Sequence, residues 1–158
     1  MTTPKTILPA ICNQYERLQN ANHATIAILE ALEHSGKFPI GNGELSVVFV
    51  NDKTIAEIHQ RFMDDPTPTD VITFPADPMM ESAGEIILSV DHAEARSSEM
   101  KIPFSPELSL YLVHGWLHLA GYDDKETEDC RRMREAEKEA MAIIDDHNAS
   151  HLYSLHES

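Results

Sequence analysis

Apolar residues recur along this chain with two spacings that alternate through most of its length. Short, mostly apolar runs bounded by glycine, proline or aspartate are typical of buried strands. Three such runs cover residues 44–50, 71–74 and 84–90. Around these runs, apolar residues return every three or four positions, which is the spacing of one helix face. The pattern therefore predicts strands interleaved with helices.

Helices are predicted in five segments, several of which begin at a residue that commonly caps a helix. They cover residues 20–33, 51–62, 91–100, 105–120 and 125–145. Asn51 or Asp52 is the predicted N-cap of the second helix. Asp91 and Ser105 are the predicted N-caps of the third and fourth helices. The fourth helix is apolar nearly all round, so we expect it to lie at the centre of the core.

Weaker patterns occur in two other places. Residues 5–10 are compatible with an edge strand, a position in which Pro9 can be accommodated. In the second helix, Ile55, Ile58 and Phe62 share one face, which we expect to be the buried one.

No internal repeat or linker divides the chain, so the predicted fold is a single α+β domain. We expect a small mixed sheet covered by helices. The domain would span residues 1–158, with a catalytic core at about residues 20–146. Residues 147–158 lack a pattern and are predicted to form a loose C-terminal tail.

Charge and cysteine content limit the classes of function. With 12 Lys and Arg against 27 Asp and Glu, the net charge is −15, which argues against a broadly basic nucleic-acid clamp. A local positive site remains compatible with that charge. Cys12 and Cys130 are far apart and indicate no disulfide framework. Residues 1–15 lack a signal-peptide pattern, and no apolar stretch is long enough to span a membrane, so we expect a cytoplasmic protein.

The candidate chemistry is concentrated near the end of the fourth helix. His114 and His118 are four residues apart and therefore share one helix face. Gly121 can end the helix in a left-handed turn, which would let Asp124 fold back toward the same point. Two imidazoles and one carboxylate are a three-ligand set for a catalytic metal with a position open for water. The spacing repeats that of metzincins, so we expect the fourth helix to be a zincin-like helix that carries metal ligands.

Other interpretations of these residues remain open at this stage. The histidines could simply be packed and hydrogen-bonded, and Asp124 could be only a helix cap. In the H-E-x-x-H motif of metallopeptidases, the glutamate is the general base, but Gly115 occupies that position here. A zincin-type metallopeptidase is therefore a disfavoured alternative. A binding module with a structural metal is the non-enzymatic alternative.

Three motifs, at residues 61–75, 84–88 and 114–124, resemble those of a known protein family. Residues 114–124 match H-G-x-L-H-L-x-G-Y-D-H at every fixed position except the last, where Asp124 replaces histidine. Residues 61–75 resemble an arginine followed by P-T-[DN]-V-[LI]-S-F-P, with one or two additional residues in the loop. Residues 84–88 resemble G-[DE]-[IL]-x-[IL]. The motifs occur in the order found in the YbeY family of rRNA maturation factors, and the resemblance to that family covers roughly residues 44–145.

The resemblance implies a ligand set and an RNA contact. His114, His118 and Asp124 correspond to the family's metal ligands, and Arg61 corresponds to an arginine thought to contact RNA phosphate. One zinc ion (Zn²⁺) is the expected cofactor, although two histidines and a carboxylate also suit iron or manganese. Asp123 is an alternative ligand, or a group that orients one or acts as a base.

The resemblance also implies a function. It indicates a metal-dependent, single-strand-specific endoribonuclease, a hydrolase acting in rRNA maturation and ribosome quality control. Processing of the 16S rRNA 3′ end is the expected reaction. Expected partners are single-stranded RNA, rRNA and the small ribosomal subunit, with neither membrane nor DNA. A non-catalytic ribosome-assembly module remains the alternative outside the enzymes.

Overall fold

Strands and helices alternate through residues 7–156, the part of the chain that the computed structural model describes. The strands are β1 (Ile7–Asn13), β2 (Leu18–Gln19), β3 (Gly43–Val50), β4 (Val71–Phe74), β5 (Ser82–Ser89) and β6 (Ser154–Leu155). The helices are α1 (Ala21–Ser35), α2 (Asp52–Met63), α3 (Val90–Met100), α4 (Phe104–Leu119) and α5 (Thr127–Asp146). A 3-10 turn at Pro78–Met80 joins β4 to β5.

The main sheet is mixed and has the strand order β1-β3-β5-β4. β1 and β5 run parallel to β3, whereas β4 runs antiparallel to β5. A second, two-stranded sheet joins β2 to β6. The predicted α+β fold of one domain is confirmed. The predicted edge strand at residues 5–10 is confirmed from Ile7 onward as β1, and residues 5 and 6 lie outside the described part.

One face of the sheet holds most of the core. Leu45, Val47 and Phe49 of β3 are buried there against α1, α4 and α5. As predicted, α4 is the central helix, and its Trp116 is 1% exposed and donates a hydrogen bond to the Phe38 carbonyl at 2.8 Å. Apolar residues all round a helix require burial on nearly every side, which this position provides.

The opposite face of the sheet is covered by α2 and has a smaller apolar cluster. Ile55 is fully buried there and Ile58 is partly buried, as expected. The prediction that Phe62 faces inward is wrong, because its side chain is 59% exposed. Phe62 makes an edge-on ring contact with Phe74 of the outer strand β4, at 5.1 Å between centroids. The last turn of α2 thus meets only the border of the sheet.

Two of the predicted helix caps are wrong, while the cap of α2 is confirmed. Asn51 accepts a hydrogen bond from the Thr54 amide at 2.8 Å and caps α2. Ser89, not Asp91, caps α3 by accepting a hydrogen bond from the His92 amide. The Asp91 carboxylate instead accepts hydrogen bonds from the Tyr15 hydroxyl and the Asp52 amide, at 2.6 and 2.9 Å. A tertiary contact has replaced the local one.

The chain after α5 is not loose in its described part, so the prediction of a loose tail is wrong for residues 147–156. Ala149 and Tyr153 are buried in the main core, and β6 pairs with β2. Ser105, the predicted cap of α4, instead accepts a hydrogen bond from the Tyr153 amide and donates one to the Ser150 carbonyl. Two buried apolar residues are too few to produce a periodic pattern.

Two glycines allow α4 and β5 to lie unusually close together. A Cβ on Gly115 of α4 would lie 2.6 Å from the Ile86 side chain of β5. A Cβ on Gly84 of β5 would lie 2.6 Å from the Leu119 side chain of α4, and Gly84 has a φ of +130°. These two contacts, one turn apart on the same face of α4, fix the end of the helix against β5. In residues 7–156, no helix combines the length and apolar character needed to cross a membrane.

Candidate metal centre

The end of α4 brings three candidate ligands to one place. His114 and His118 lie on successive turns near its C-terminus. Gly121 adopts a φ of +103°, which reverses the chain beyond the helix, and the Tyr122 amide donates to the Leu117 carbonyl at 3.0 Å. The left-handed turn predicted at Gly121 is therefore present. After it, Asp124 returns toward the two histidines.

The distances between the three side chains fit a single cation. His114 Nε2 lies 3.0 Å from His118 Nε2. Asp124 Oδ2 lies 3.4 Å from His114 Nε2 and 3.6 Å from His118 Nε2. Four ligands at zinc bond lengths in a tetrahedron are separated by about 3.3 Å from one another. The three atoms therefore have the separations of one face of such a tetrahedron, and neutral imidazoles with a carboxylate are a suitable donor set.

A buried carboxylate orients His114. Glu137 of α5 is 6% exposed, and its Oε2 lies 2.5 Å from His114 Nδ1. Because a carboxylate accepts hydrogen bonds, Nδ1 carries the proton and donates it, which leaves the Nε2 lone pair for a cation. Arg134 donates to the other oxygen of Glu137 at 3.0 Å and balances its charge.

This pair changes the pKa values of both partners. Burial alone lowers the pKa of His114, but the hydrogen bond and the charge of Glu137, together with the nearby charges of Asp124 and Asp70, raise it above its ordinary value. Burial alone raises the pKa of Glu137, but its hydrogen bonds to His114 and Arg134 lower it below its ordinary value. Each partner thus favours the charged form of the other.

Glu137 was not predicted as a site residue, although the sequence contained a signal for it. The buried stripe of α5 consists of Met133, Ala136, Ala140 and Ile144, and Glu137 lies on the same face. A carboxylate in a core position requires a partner, because an unpaired buried charge is costly. The partner is His114.

The candidate ligands line a cleft of about 610 Å³ with two walls. We name the α4 side, with His114 and His118, the histidine wall. We name the opposite side, formed by β4, the strand wall; its Val71, Ile72 and Thr73 line the cleft. The remaining lining residues are Met63, Thr69, Asp70, Pro75, Leu119, Asp123, Asp124 and Lys125.

Charge in the cleft is predominantly negative. Asp70, Asp123 and Asp124 line it, and among the described lining residues Lys125 is the one with a positively charged side chain. Lys125 was not predicted as a site residue. Asp123 accepts a hydrogen bond from the Asp124 amide at 2.7 Å and does not belong to the converging group. Carboxylates repel phosphate, so phosphate binding in this cleft would require a cation that offsets their charge.

Arg61 lies apart from the other predicted site residues. It is exposed on the last turn of α2 and does not line the cleft. Within residues 7–156 it makes no hydrogen bond or ion pair, so its guanidinium is free to bind an external group. Met63, two residues later, does line the cleft. Arg61 is thus placed near the rim and not at the candidate ligands.

Gly115 faces the sheet and not the cleft. The side chain of a residue here would point at Ile86 of β5. Position 115 therefore cannot supply the general base of an H-E-x-x-H peptidase while α4 keeps this packing. The geometry strengthens the argument against a metallopeptidase.

Comparison with known proteins agrees with the motifs and the fold. The family model described as Endoribonuclease YbeY matches residues 10–145. The chain belongs to the YbeY endoribonuclease family. It is 38% identical over 126 residues to the endoribonuclease YbeY of Sinorhizobium fredii, covering 76% of this chain and 72% of that protein. With the same-named protein of Porphyromonas gingivalis, identity is 33% over 114 residues, covering 72% and 76%.

A solved structure has the same fold. The solution structure of TM1509 from Thermotoga maritima superposes with a TM-score of 0.63 at 29% identity. The match covers 87% of this chain and 89% of that one. The predicted family resemblance is confirmed.

Proposed function

We propose that this protein is a metal-dependent endoribonuclease that cleaves single-stranded RNA during rRNA maturation and ribosome quality control. As a member of the YbeY endoribonuclease family, the chain is a nuclease of the hydrolase class with a role in rRNA processing. The observation that carries the metal-dependent mechanism is the convergence of His114, His118 and Asp124, whose ligand atoms lie within 4.8 Å of one another.

Zinc is the proposed cofactor, held by His114, His118 and Asp124. The atom separations of 3.0 to 3.6 Å and the nitrogen and oxygen donors support this choice. Iron or manganese would accept the same ligands. When bound, the cation would supply a Lewis acid for the phosphodiester and lower the pKa of a water molecule.

In this proposal, the chain's own residues orient a metal ligand and bind phosphates of the RNA. Glu137 holds the His114 ring so that Nε2 points into the cleft. Lys125 binds a phosphate in the cleft, and Arg61 binds a phosphate of a flanking nucleotide at the rim. Because three aspartates line the cleft, RNA affinity depends on the cation.

The proposed substrate is rRNA, with the 3′ end of 16S rRNA as the processing site and the small ribosomal subunit as the partner. Family membership supports this assignment, and the proposed site of action is the cytoplasm, where ribosomes assemble. The residues proposed for binding and chemistry, from Arg61 to Glu137, all lie within the core at about residues 20–146.

Metal analysis combined with RNA cleavage tests the proposal. Purified protein and its Asp124→Ala variant are assayed for bound metal and for cleavage of a single-stranded oligoribonucleotide. Asp123→Ala is the matched control, because Asp123 lies in the same turn but outside the converging group. We expect about one ion per chain in the parent and the control, and loss of metal and cleavage in Asp124→Ala.

The alternatives give different results in the same assays. Equal metal affinity in the parent and Asp124→Ala would remove Asp124 from the ligand set. Bound metal without RNA cleavage by the parent, combined with lower thermal stability of His114→Ala, would favour a binding module with a structural metal. Peptide turnover that requires His118, without RNA cleavage, would favour a metallopeptidase.

A further inference from the structure

The strand wall of the cleft is the outer edge of the main sheet. β4 pairs with β5 on one side, and in the strand order β1-β3-β5-β4 no strand lies on its other side. Val71, Ile72 and Thr73 line the same cleft as His114 and His118. An edge strand presents backbone N–H and C=O groups that lack partners within the sheet. Here those groups lie beside the candidate metal centre.

The pairing with β5 shows which backbone groups of β4 point away from the sheet. In an antiparallel ladder, residue pairs that exchange hydrogen bonds alternate with pairs that do not. The Ser89 amide donates to the Asp70 carbonyl at 2.9 Å, which makes Asp70 and Ser89 a bonded pair. By alternation, Ile72 and Phe74 bond to β5, and Val71 and Thr73 direct their N–H and C=O groups away from it.

One donor and two acceptors remain on this edge. The Val71 amide donates to Asp70 Oδ1 at 2.8 Å. By this alternation, the Thr73 amide and the carbonyls of Val71 and Thr73 do not bond to β5, and within residues 7–156 no hydrogen bond from outside the ladder reaches them. The fold leaves these three backbone groups exposed to whatever occupies the cleft.

Resting on the proposed function, we propose that the strand wall binds the sugar–phosphate backbone of the RNA substrate. The Thr73 amide donates a hydrogen bond to a phosphate oxygen next to the cleaved bond. The carbonyls of Val71 and Thr73 accept hydrogen bonds from ribose 2′-hydroxyl groups. The strand wall is thus a determinant of RNA specificity that uses main-chain atoms.

The chemistry of the cleft favours this assignment. A backbone amide is a donor without a competing negative charge, in a cleft lined by three carboxylates. A carbonyl can accept only from a donor, and the 2′-hydroxyl is the ribose donor that DNA lacks. An extended peptide is the other occupant that fits a strand edge by strand addition, and the test separates it from RNA.

The Thr73→Pro variant removes the amide hydrogen and should preserve the sheet. Proline is tolerated on an edge strand where the N–H points away from the ladder. Thr73→Val is the matched control, because it keeps the amide and removes the hydroxyl. Metal content and the thermal melting temperature establish that each variant is folded.

Binding is measured with a fluorescent single-stranded oligoribonucleotide and with DNA of the same sequence, and cleavage gives kcat and KM. We expect Thr73→Pro to raise the RNA Kd and the KM about tenfold, and Thr73→Val, which keeps the amide, to raise both by a clearly smaller factor. The DNA Kd should be higher than the RNA Kd in the parent. Thr73→Pro protein that is folded and binds RNA like the parent would overturn the proposal.

A second measurement covers the case in which Thr73→Pro does not fold. Oligoribonucleotides with single 2′-deoxy substitutions are titrated against the parent protein. We expect a loss of affinity of about fivefold at one or two positions beside the cleaved bond. A flat profile along the oligonucleotide would contradict the proposal.

The remaining outcomes distinguish the two proposals. If the parent binds RNA without cleaving it, and Thr73→Pro still weakens that binding, the proposed function fails and the strand-wall proposal stands. If a lysine-rich peptide binds the parent tightly, loses affinity in Thr73→Pro, and RNA binding does not change, the edge takes a protein partner and the strand-wall proposal is wrong.

Discussion

The two walls of the cleft differ in the atoms they present and in how they are held. The histidine wall presents side chains, and Glu137 and the glycine contacts with β5 fix their position. The strand wall presents backbone groups, and the hydrogen-bond ladder with β5 fixes theirs. The identity of a side chain can be read directly from the sequence and changed by substitution. The direction of a backbone amide depends on how the strands pair. Mutation therefore tests the two walls in different ways.

Removing a ligand from the histidine wall should have the largest effect. We expect His118→Ala to lose the bound metal and to reduce RNA cleavage by about a thousandfold or more, because the proposed Lewis acid contributes several kcal/mol to the barrier. Metal analysis and initial cleavage rates measure the two effects. His151→Ala, at an exposed histidine far along the chain, is the control and should behave like the parent. Equal metal content in both variants would contradict the ligand assignment.

Removing the support of His114 should have the next largest effect. Glu137→Gln retains a hydrogen-bond acceptor for Nδ1 but removes the charge, so we expect about a tenfold loss of zinc affinity. Competition titration with a chelating dye measures it. Glu135→Gln on the exposed side of the same helix is the control. If both variants keep the parent's affinity, Glu137 stabilises the fold without tuning the metal centre.

Adding a methyl group where α4 meets β5 tests the packing behind both walls. Gly115→Ala would place Cβ against Ile86, and we expect it to lower the free energy of unfolding by about 1–3 kcal/mol. Gly41→Ala is the control, since its Cβ would be in ordinary contact at 3.9 Å from Ala76. Urea denaturation of the metal-free proteins measures the difference. An unchanged midpoint for Gly115→Ala would show that the helix and sheet adjust freely.

The pH dependence of stability tests the pair of His114 and Glu137. The raised pKa of His114 gives stabilisation that is complete below the ordinary value of 6.5 and is lost as pH rises through the raised pKa. The lowered pKa of Glu137 gives stabilisation that is present above 4.5 and is lost as pH falls through the lowered pKa. The advantage of the parent over Glu137→Gln should therefore be largest between these values.

Urea denaturation of the two metal-free proteins across this range measures the effect. We expect a difference of about 2 kcal/mol near pH 5.5 that shrinks toward alkaline pH. A difference that keeps growing as pH rises above 6.5 would mean that the charged pair does not form.

Substituting either of the two basic residues proposed to bind phosphate, Lys125 and Arg61, should have the smallest effect. Lys125→Ala should weaken RNA binding a few-fold and reduce the salt dependence by about 0.7 in the slope of log K against log salt. Arg61→Ala should weaken binding only for oligonucleotides long enough to pass the rim of the cleft. Lys138→Ala, exposed on α5, is the control. Fluorescence titrations at several salt concentrations, with oligonucleotides of several lengths, distinguish the three variants.

Sequence patterns predicted much of the fold and of the histidine wall. The alternation of spacings placed β3, β4, β5 and all five helices, because burial of one face imposes a period on the sequence. His114, His118 and Asp124 were predicted from local spacing along one helix and one turn. Each of these features depends on residues that are close in sequence.

Features that depend on distant residues were missed or misplaced. Glu137 meets His114 through the packing of two helices, 23 residues apart in sequence. Asp91 was expected to cap a helix but is engaged by Tyr15, 76 residues away. The free edge of β4 follows from the order of strands in the sheet, and no local pattern encodes that order.

The burial of Tyr153 has a practical consequence for shortened forms of the protein. Its ring lies edge-on to Phe49 at 5.7 Å, and its hydroxyl shares a hydrogen bond of 2.7 Å with Thr25. A chain that stops after α5 would leave a ring-sized hole beneath the sheet and a buried hydroxyl with nothing to bind. Shortened forms of the protein should therefore retain residues 147–156. A bulky fusion partner is better attached after residue 156.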